Sequence, residues 1–267
     1  QRVGLEADSI SWADALQWSE RLGEANVIAV SELLTPLRSV KDAGEVARIE
    51  AASTIADAAL ADCRSLLGER PTELEFAREL DHRMLTTGAE ALSFETICAS
   101  GPNAALPHAR PTNRRVGAGD LVIVDFGAVV DGYHSDMTRS FVIGDPSDEA
   151  ASLLTAVGAS QELGVRAVHA GATCAEVDAA CRSHLEQAGY GDEFVHGTGH
   201  GVGLVIHEAP WVNSTSTTEL VPGHVVTVEP GVYRPGLGGV RIEDTVLVTT
   251  DGARRLTVAP KDPVVDV

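Results

Sequence analysis

The chain has 267 residues, with 20 lysines and arginines against 39 aspartates and glutamates, a formal charge of −19. Acidity of that size excludes nucleic acid and anionic membrane surfaces as expected partners, because both need a basic face to neutralise phosphates. At 44 % hydrophobic and 22 % charged residues, the composition is that of a globular protein and excludes disorder.

No window approaches the roughly 18 consecutive apolar residues of a membrane span. The start, QRVGLEADSISW, has neither the basic end nor the apolar centre of a signal peptide. Cys63, Cys98, Cys174 and Cys181 include no C-x-x-C pair and fall in apolar or helical patterns, so reduced core cysteines of a cytoplasmic protein are expected.

Residues 1–36 read as strand, helix, strand, over RVGL, SWADALQWSERL and NVIAV. That is too little to bury a core alone, so the segment reads as the remnant of an N-terminal domain, with chain expected upstream of Gln1. The main domain is then 37–267. A long helix follows Asp42, with Val46, Ile49, Ala52, Ala56, Ala59, Leu60 and Cys63 at three- and four-residue steps and Glu45 placed for a capping box. A second helix follows Pro71, capped by Thr72 and Glu75, lined by Phe76, Leu80 and Met84, and closed by Gly88. An irregular stretch leads to a strand over Leu121–Asp125.

The chain then repeats itself. A long helix is predicted from about Asp148 to His169, and Thr173 with Glu176 opens another that ends at Gly189, 101 residues after the Thr72 cap. Gly119-Asp120-Leu121-Val122-Ile123-Val124-Asp125-Phe126-Gly127 is matched by Gly223-His224-Val225-Val226-Thr227-Val228-Glu229-Pro230-Gly231 at an offset of 104, and His108 and His207 are related by 99. Two α+β halves about a pseudo-twofold axis explain the pattern, and a shared site belongs between them.

Each half carries acids where charge is costly. Asp125 ends an apolar strand and Asp136 lies in SDMTRSFVI; a turn at Asp131-Gly132 folds them roughly opposite each other. Glu229 and Glu243 repeat the arrangement about Gly236. Facing buried carboxylates repel, and must share a proton or hold a cation. Four of them call for about two divalent ions, +4 against −4.

The other unusual segment is His196-Gly197-Thr198-Gly199-His200-Gly201-Val202-Gly203. Four glycines argue for an extended or irregular backbone that can approach a ligand closely. It does not fit the G-x-G-x-x-G dinucleotide pattern, and the helical zinc-protease motif and the G-x-S-x-G elbow are absent. Beside four candidate carboxylates, one of these histidines becomes a candidate ligand. Imidazole with carboxylates suits Mn, Co, Fe or Zn, and points to hydrolysis of an amide or ester.

The blocks VDFGAVVDGYHSDMTRSF, HGTGHGVGLVIHEAP, VEPGVY and GGVRIEDTVLV resemble the successive motifs of the pita-bread metallopeptidases, in their proline-specific branch of aminopeptidase P and prolidase. The resemblance runs from about Leu37 to the C-terminus. It implies an α+β pita-bread fold of two pseudo-symmetric halves around a curved antiparallel sheet, preceded by a creatinase-like domain of which 1–36 is the tail. It implies a dinuclear site with Asp125, Asp136, His200, Glu229 and Glu243 as ligands, Asp136 and Glu243 bridging two divalent ions, Mn first and Co, Zn or Fe as alternatives. His108, His196 and His207 match histidines that bind substrate and assist proton transfer; Arg241 matches an arginine supporting the cluster, and Glu229 also addresses the attacking water. Partners implied are small peptides with proline second and a second copy of the chain in a homodimer.

Full retention of the ligands argues against the metal-free relatives of this fold, and HGTGH with HEAP favours the proline branch over methionine aminopeptidase. Prolidases of this kind often carry an arginine after HExP that pairs with a dipeptide's carboxylate; here that position is Trp211, which cannot form the pair. The sequence therefore places an Xaa-Pro aminopeptidase first and an Xaa-Pro dipeptidase second, with Arg234 as a substitute cation for the latter.

Overall fold

The computed structural model describes residues 1–23, 26–31 and 33–267. They form two compact units, Gln1–Arg38 and Ser39–Val267. In the first, β1 (Arg2–Glu6) pairs in parallel with β2 (Asn26–Val30), and α1 (Trp12–Leu22) connects them, the strand, helix and strand that the sequence predicts. Ser11 caps α1, yet no residue of that helix is buried. A short helix α2 (Thr35–Ser39) spans the division. Among the described residues no helix is long and apolar enough to cross a membrane.

The second unit opens with α3 (Ala43–Cys63) and α4 (Glu73–Thr87), each started by the predicted capping box, Asp42 with Glu45 and Thr72 with Glu75. Phe76, Leu80 and Met84 lie at most 1 % exposed, which is why this stripe docks the helix. After β3 (Ala91–Leu92) and β4 (Ile97–Ser100) come β5 (Leu121–Phe126), β6 (Ala128–Val130), β7 (Tyr133–His134) and β8 (Met137–Ile143). The second helical pair is α5 (Asp148–Ala167) and α6 (Cys174–Gln187), the latter capped by Thr173 and Glu176. The chain ends through β9 (Gly199–Gly201), β10 (Glu208–Val212), β11 (Val225–Val228), β12 (Gly231–Arg234), β13 (Gly238–Arg241), β14 (Asp244–Thr249), β15 (Gly252–Arg255) and β16 (Val264–Val265).

The repeat is visible in the hydrogen bonding. One sheet runs β16-β8-β5-β4 and the other β10-β9-β11-β14-β15, so β4-β5-β8 of the first half corresponds to β9-β11-β14 of the second. Thr72 bridges to Arg115 and Thr173 to Glu219. Gly119 and Gly223, both at positive φ, donate to the ends of the corresponding strands β8 and β14, at Ile143 O and Val248 O. Each half has its own apolar cluster of helix and strand residues, with Phe76, Phe126 and Phe141 in the first and Leu153, Val177 and Val228 in the second.

The hairpins differ in one respect from the predicted pairing. Val130 pairs with Tyr133 and Asp125 with Thr138, so Asp136 stands just before β8, two residues from the position opposite Asp125. The turn is centred on Asp131-Gly132, one residue beyond the midpoint of the two acids, and a shift of one in the centre moves the partner by two. In the second half the predicted pairing holds. Val228 faces Asp244 and Gly231 faces Arg241 in one register, which sets Glu229 and Glu243 across from each other where the ladder is interrupted.

The halves are joined beside these acids. Glu243 N donates to Thr138 O at 3.1 Å, Ser140 Oγ donates to Arg241 O at 2.8 Å, and the fully buried Arg139 donates to Glu243 O, Thr138 O and Ala259 O while pairing with Asp244. All four cysteines are buried free thiols.

Candidate metal centre

Asp125, Asp136, His200, Glu229 and Glu243 line one cavity of about 360 Å³, together with His108, His196, His207 and Arg241. The sheet ends deliver them: Asp125 from β5, Asp136 from the entry to β8, His200 from β9, and Glu229 and Glu243 from the gap between the β11–β14 and β12–β13 pairings. Ligand atoms of Asp136, His200 and Glu243 all lie within 4.8 Å of one another. His200 Nε2 stands 3.4 Å from Asp136 Oδ2 and 3.3 Å from Glu229 Oε1.

Each of these side chains is oriented from behind. His200 Nδ1 faces Gly201 O at 3.0 Å, where it can only donate, so Nε2 is the nitrogen turned to the acids. Thr227 Oγ1 accepts from His200 N and donates to Glu229 Oε1. Thr138 Oγ1 donates to Glu243 Oε2 at 2.7 Å and accepts from Arg241 Nε at 3.1 Å. The glycines of the histidine segment serve this packing. A Cβ on Gly199 would lie 2.1 Å from Thr227 O, and one on Gly201 2.3 Å from Ala209 O, so the close approach is to neighbouring strands, where the sequence suggested a ligand.

The electrostatics describe a site that wants positive charge. Burial pushes Asp125, Asp136 and Glu243 above the ordinary carboxylate range, Asp136 to about 7, and the neighbouring acids add to it. For the partly buried Glu229 desolvation works in the same direction, but His200, with His196 and Arg241, outweighs it and holds the carboxyl down to about 2. Burial also works against charging His200, yet its two acid partners keep it well above the ordinary histidine value. Two carboxylate oxygens, Asp125 Oδ1 and Glu243 Oε1, are buried with no hydrogen-bond partner among the described residues. Unpaired lone pairs on crowded buried acids beside an imidazole fit divalent cations better than any other occupant.

A second layer, of which the sequence singled out Arg241 but not Tyr233, Arg182 or Asp178, controls the histidines. Arg241 Nη1 donates to Tyr233 Oη at 2.7 Å, and Tyr233 Oη meets His196 Nε2 at 2.9 Å, while His196 Nδ1 lies 2.7 Å from Gly197 O. With Nδ1 donating to the carbonyl, Nε2 accepts from the tyrosine, and burial keeps the ring's pKa low, so His196 is neutral. Arg182, paired with the buried Asp178, donates to Phe194 O and His196 O. His207 packs edge-on to His200, with ring centroids 4.3 Å apart, and is held below its ordinary pKa by burial and by the charge on His200. Its neighbour Glu208 pairs with Lys41 at 2.8 Å. His108 stands exposed on the cavity wall beside Pro107. Capping boxes announce themselves by spacing, but Tyr233, Thr138 and Thr227 look like ordinary strand residues.

Trp211 is on the same wall, 49 % exposed, as are Phe94, Ile97 and Asn213. Arg234 is not; it is bonded to Glu149 at 2.7 Å and Glu193 at 2.8 Å, which removes it as the substitute for an arginine at position 211.

The sequence profile of metallopeptidase family M24 matches residues 47–250. The chain belongs to this family. It is 38 % identical over 262 residues to an Xaa-Pro dipeptidase of Pyrococcus furiosus, covering 98 % of this chain and 75 % of that protein. Among solved structures it superposes on an Xaa-Pro dipeptidase from Bacillus anthracis with a TM-score of 0.96 and 41 % identity, covering all of this chain and 75 % of that one. An X-Pro aminopeptidase from Thermotoga maritima gives 0.92 and 34 %, covering all of this chain and 76 % of that one. The α+β pita-bread fold expected from the motif blocks is thereby established, and so is the class of metallopeptidase.

Proposed function

We propose that this M24 peptidase hydrolyses Xaa-Pro bonds of small peptides, with dipeptides as the first substrates to consider. The observation that carries the reading is the convergence of Asp136, His200 and Glu243 in a cavity that also holds two orphaned carboxylate oxygens. Trp211 favours longer peptides, but the names borne by similar proteins weigh toward the dipeptidase, which reverses the order taken from the sequence.

Asp125, Asp136, His200, Glu229 and Glu243 would hold two divalent ions, with manganese the first to test. Such ions supply Lewis acidity toward the scissile carbonyl and lower the pKa of the attacking water. The chain's residues do the rest. Glu229 orients the water and takes its proton. His207 or His108 donates a hydrogen bond to the oxyanion that forms on the carbonyl of Xaa. The prolyl nitrogen carries no hydrogen and must be protonated to leave, and the histidines of the wall are the donors within the cavity. Neutral His196, fixed by Tyr233 and Gly197, keeps its side of the cavity in one orientation. The buried free thiols fit a reducing, cytoplasmic setting.

The test compares Ala-Pro, Ala-Pro-Ala and Met-Ala-Ser with protein stripped of metal and reloaded with Mn²⁺ or Co²⁺. Cleavage of the first two and not the third supports proline specificity, and a higher kcat/KM on Ala-Pro supports the dipeptidase. Turnover of the Met-initiated peptide alone would overturn it.

A further inference from the structure

The segment from Gly101 to Arg114 brings Pro107 and His108 to the cavity wall, and its attachment converges on one side chain outside the cavity. Glu73, the first residue of α4, is 0 % exposed. Its Oε1 accepts from Ser100 N and Ser100 Oγ, each at 2.7 Å, and from Asn103 Nδ2 at 3.1 Å. Its Oε2 accepts from Asn103 Nδ2 and Thr112 N, each at 3.0 Å, and from Thr112 Oγ1 at 2.7 Å. Residues on both sides of His108 are therefore tied to the same carboxylate, which sits where a helix N-terminus favours negative charge.

The internal repeat provides a control. At the offset of 101 that relates Thr72 to Thr173, Cys174 stands in the place of Glu73. The main-chain contacts are common to both halves: Glu73 N and Leu74 N donate to Arg114 O and Thr112 O, and Cys174 N and Ala175 N donate to Thr218 O and Ser216 O. Docking of the helix start against the following segment thus needs no carboxylate. The acid is an addition found in the half whose segment carries His108, whereas the segment carrying His207 is held by the Lys41–Glu208 pair.

We propose that Glu73 is a positioning residue for His108, holding the segment so that the imidazole stays at the cavity wall. A charge-assisted network in the interior is stiff, and small losses of orientation at a reacting group cost large factors in rate. The inference rests on the role given to His108 above.

The test is a double-mutant cycle on the full chain loaded with Mn²⁺, with Ala-Pro as substrate. Glu73→Gln is expected to lower kcat about tenfold, with KM moved less than about threefold and Mn²⁺ stoichiometry unchanged. In a His108→Ala background the same change should move kcat less than about twofold, because the positioned group is gone. Additive losses, or a loss that follows metal content, would overturn the proposal. Should Glu73→Gln fail to fold, Thr112→Val replaces it, with Thr112→Ser expected to restore the rate, and the same additivity decides. His108→Ala at the parent rate would remove the role of His108 and this proposal together while leaving Xaa-Pro hydrolysis standing; a slow His108→Ala with additive losses removes the proposal alone.

Discussion

Arg241 Nη2 donates to Asp125 Oδ2 at 2.6 Å, pairing a buried cation of the second half with a largely buried acid of the first, whose side chain is 14 % exposed. The same guanidinium reaches Tyr233 Oη, Thr138 Oγ1 and Pro107 O, so four elements of the site meet on it. Arg241→Met is expected to leave Asp125 facing the other acids without its partner. Removing one member of a buried pair costs about 3 kcal/mol or more. Urea unfolding should show that loss, and kcat/KM on Ala-Pro should fall at least about 100-fold. An unchanged urea midpoint would mean that Asp125 is stabilised by something else.

Glu243→Gln and His200→Ala test the proposed ligands directly. Each should reduce turnover below about one part in a thousand while far-UV circular dichroism stays that of the parent. Exhaustive chelation should silence the parent chain, with activity returning on addition of Mn²⁺ or Co²⁺. Activity that survives in both variants and after chelation would remove the metal from the mechanism.

Trp211→Arg tests why the dipeptidase and aminopeptidase readings compete. A guanidinium on the cavity wall can pair with the carboxylate of a dipeptide, and one charge-assisted contact of about 1.4 kcal/mol is a tenfold change. The ratio of kcat/KM for Ala-Pro over Ala-Pro-Ala should rise by about that factor and shrink again in high salt. No change in the ratio would place the carboxylate away from position 211.

Acid stability is expected to depend on His224. Burial, aided by the charge of Lys41, lowers its pKa to about 4, and its Nδ1 accepts from Val221 N at 3.3 Å. The folded state thus prefers the neutral ring. Its contribution is present above about pH 6.5, the unfolded value, and is lost as pH falls through 4. The span corresponds to about 3 kcal/mol at most. His224→Asn keeps an acceptor for Val221 and cannot titrate, so its thermal midpoint should vary less between pH 7 and 4 than the parent's. Parallel curves would contradict the assignment.

Much of this was legible in the residues. Helix starts were readable because a capping box is a local device, complete within four residues at Asp42, Thr72 and Thr173. Glu229 and Glu243 could be paired because the turn at Gly236 lies midway between them, whereas Asp125 and Asp136 were misregistered because the turn at Asp131-Gly132 lies off their midpoint. Tyr233, Thr138 and Glu73 carry no such mark in the sequence, for a different reason. Their partners are 8 to 105 residues away, and no local pattern marks a side chain whose meaning is set by distant contacts.

The edge of the first sheet is supplied from far downstream. Strand β16 lies beside β8, Val142 N donates to Pro263 O, and Arg139 reaches Ala259 O. During synthesis, then, β8 emerges from the ribosome more than a hundred residues before the strand that covers its open side. Until that strand arrives, the edge of β8 at Val142 and Ile143 is unpaired. A nascent chain stalled before Pro263 would present that edge of β8 as a template for any passing strand.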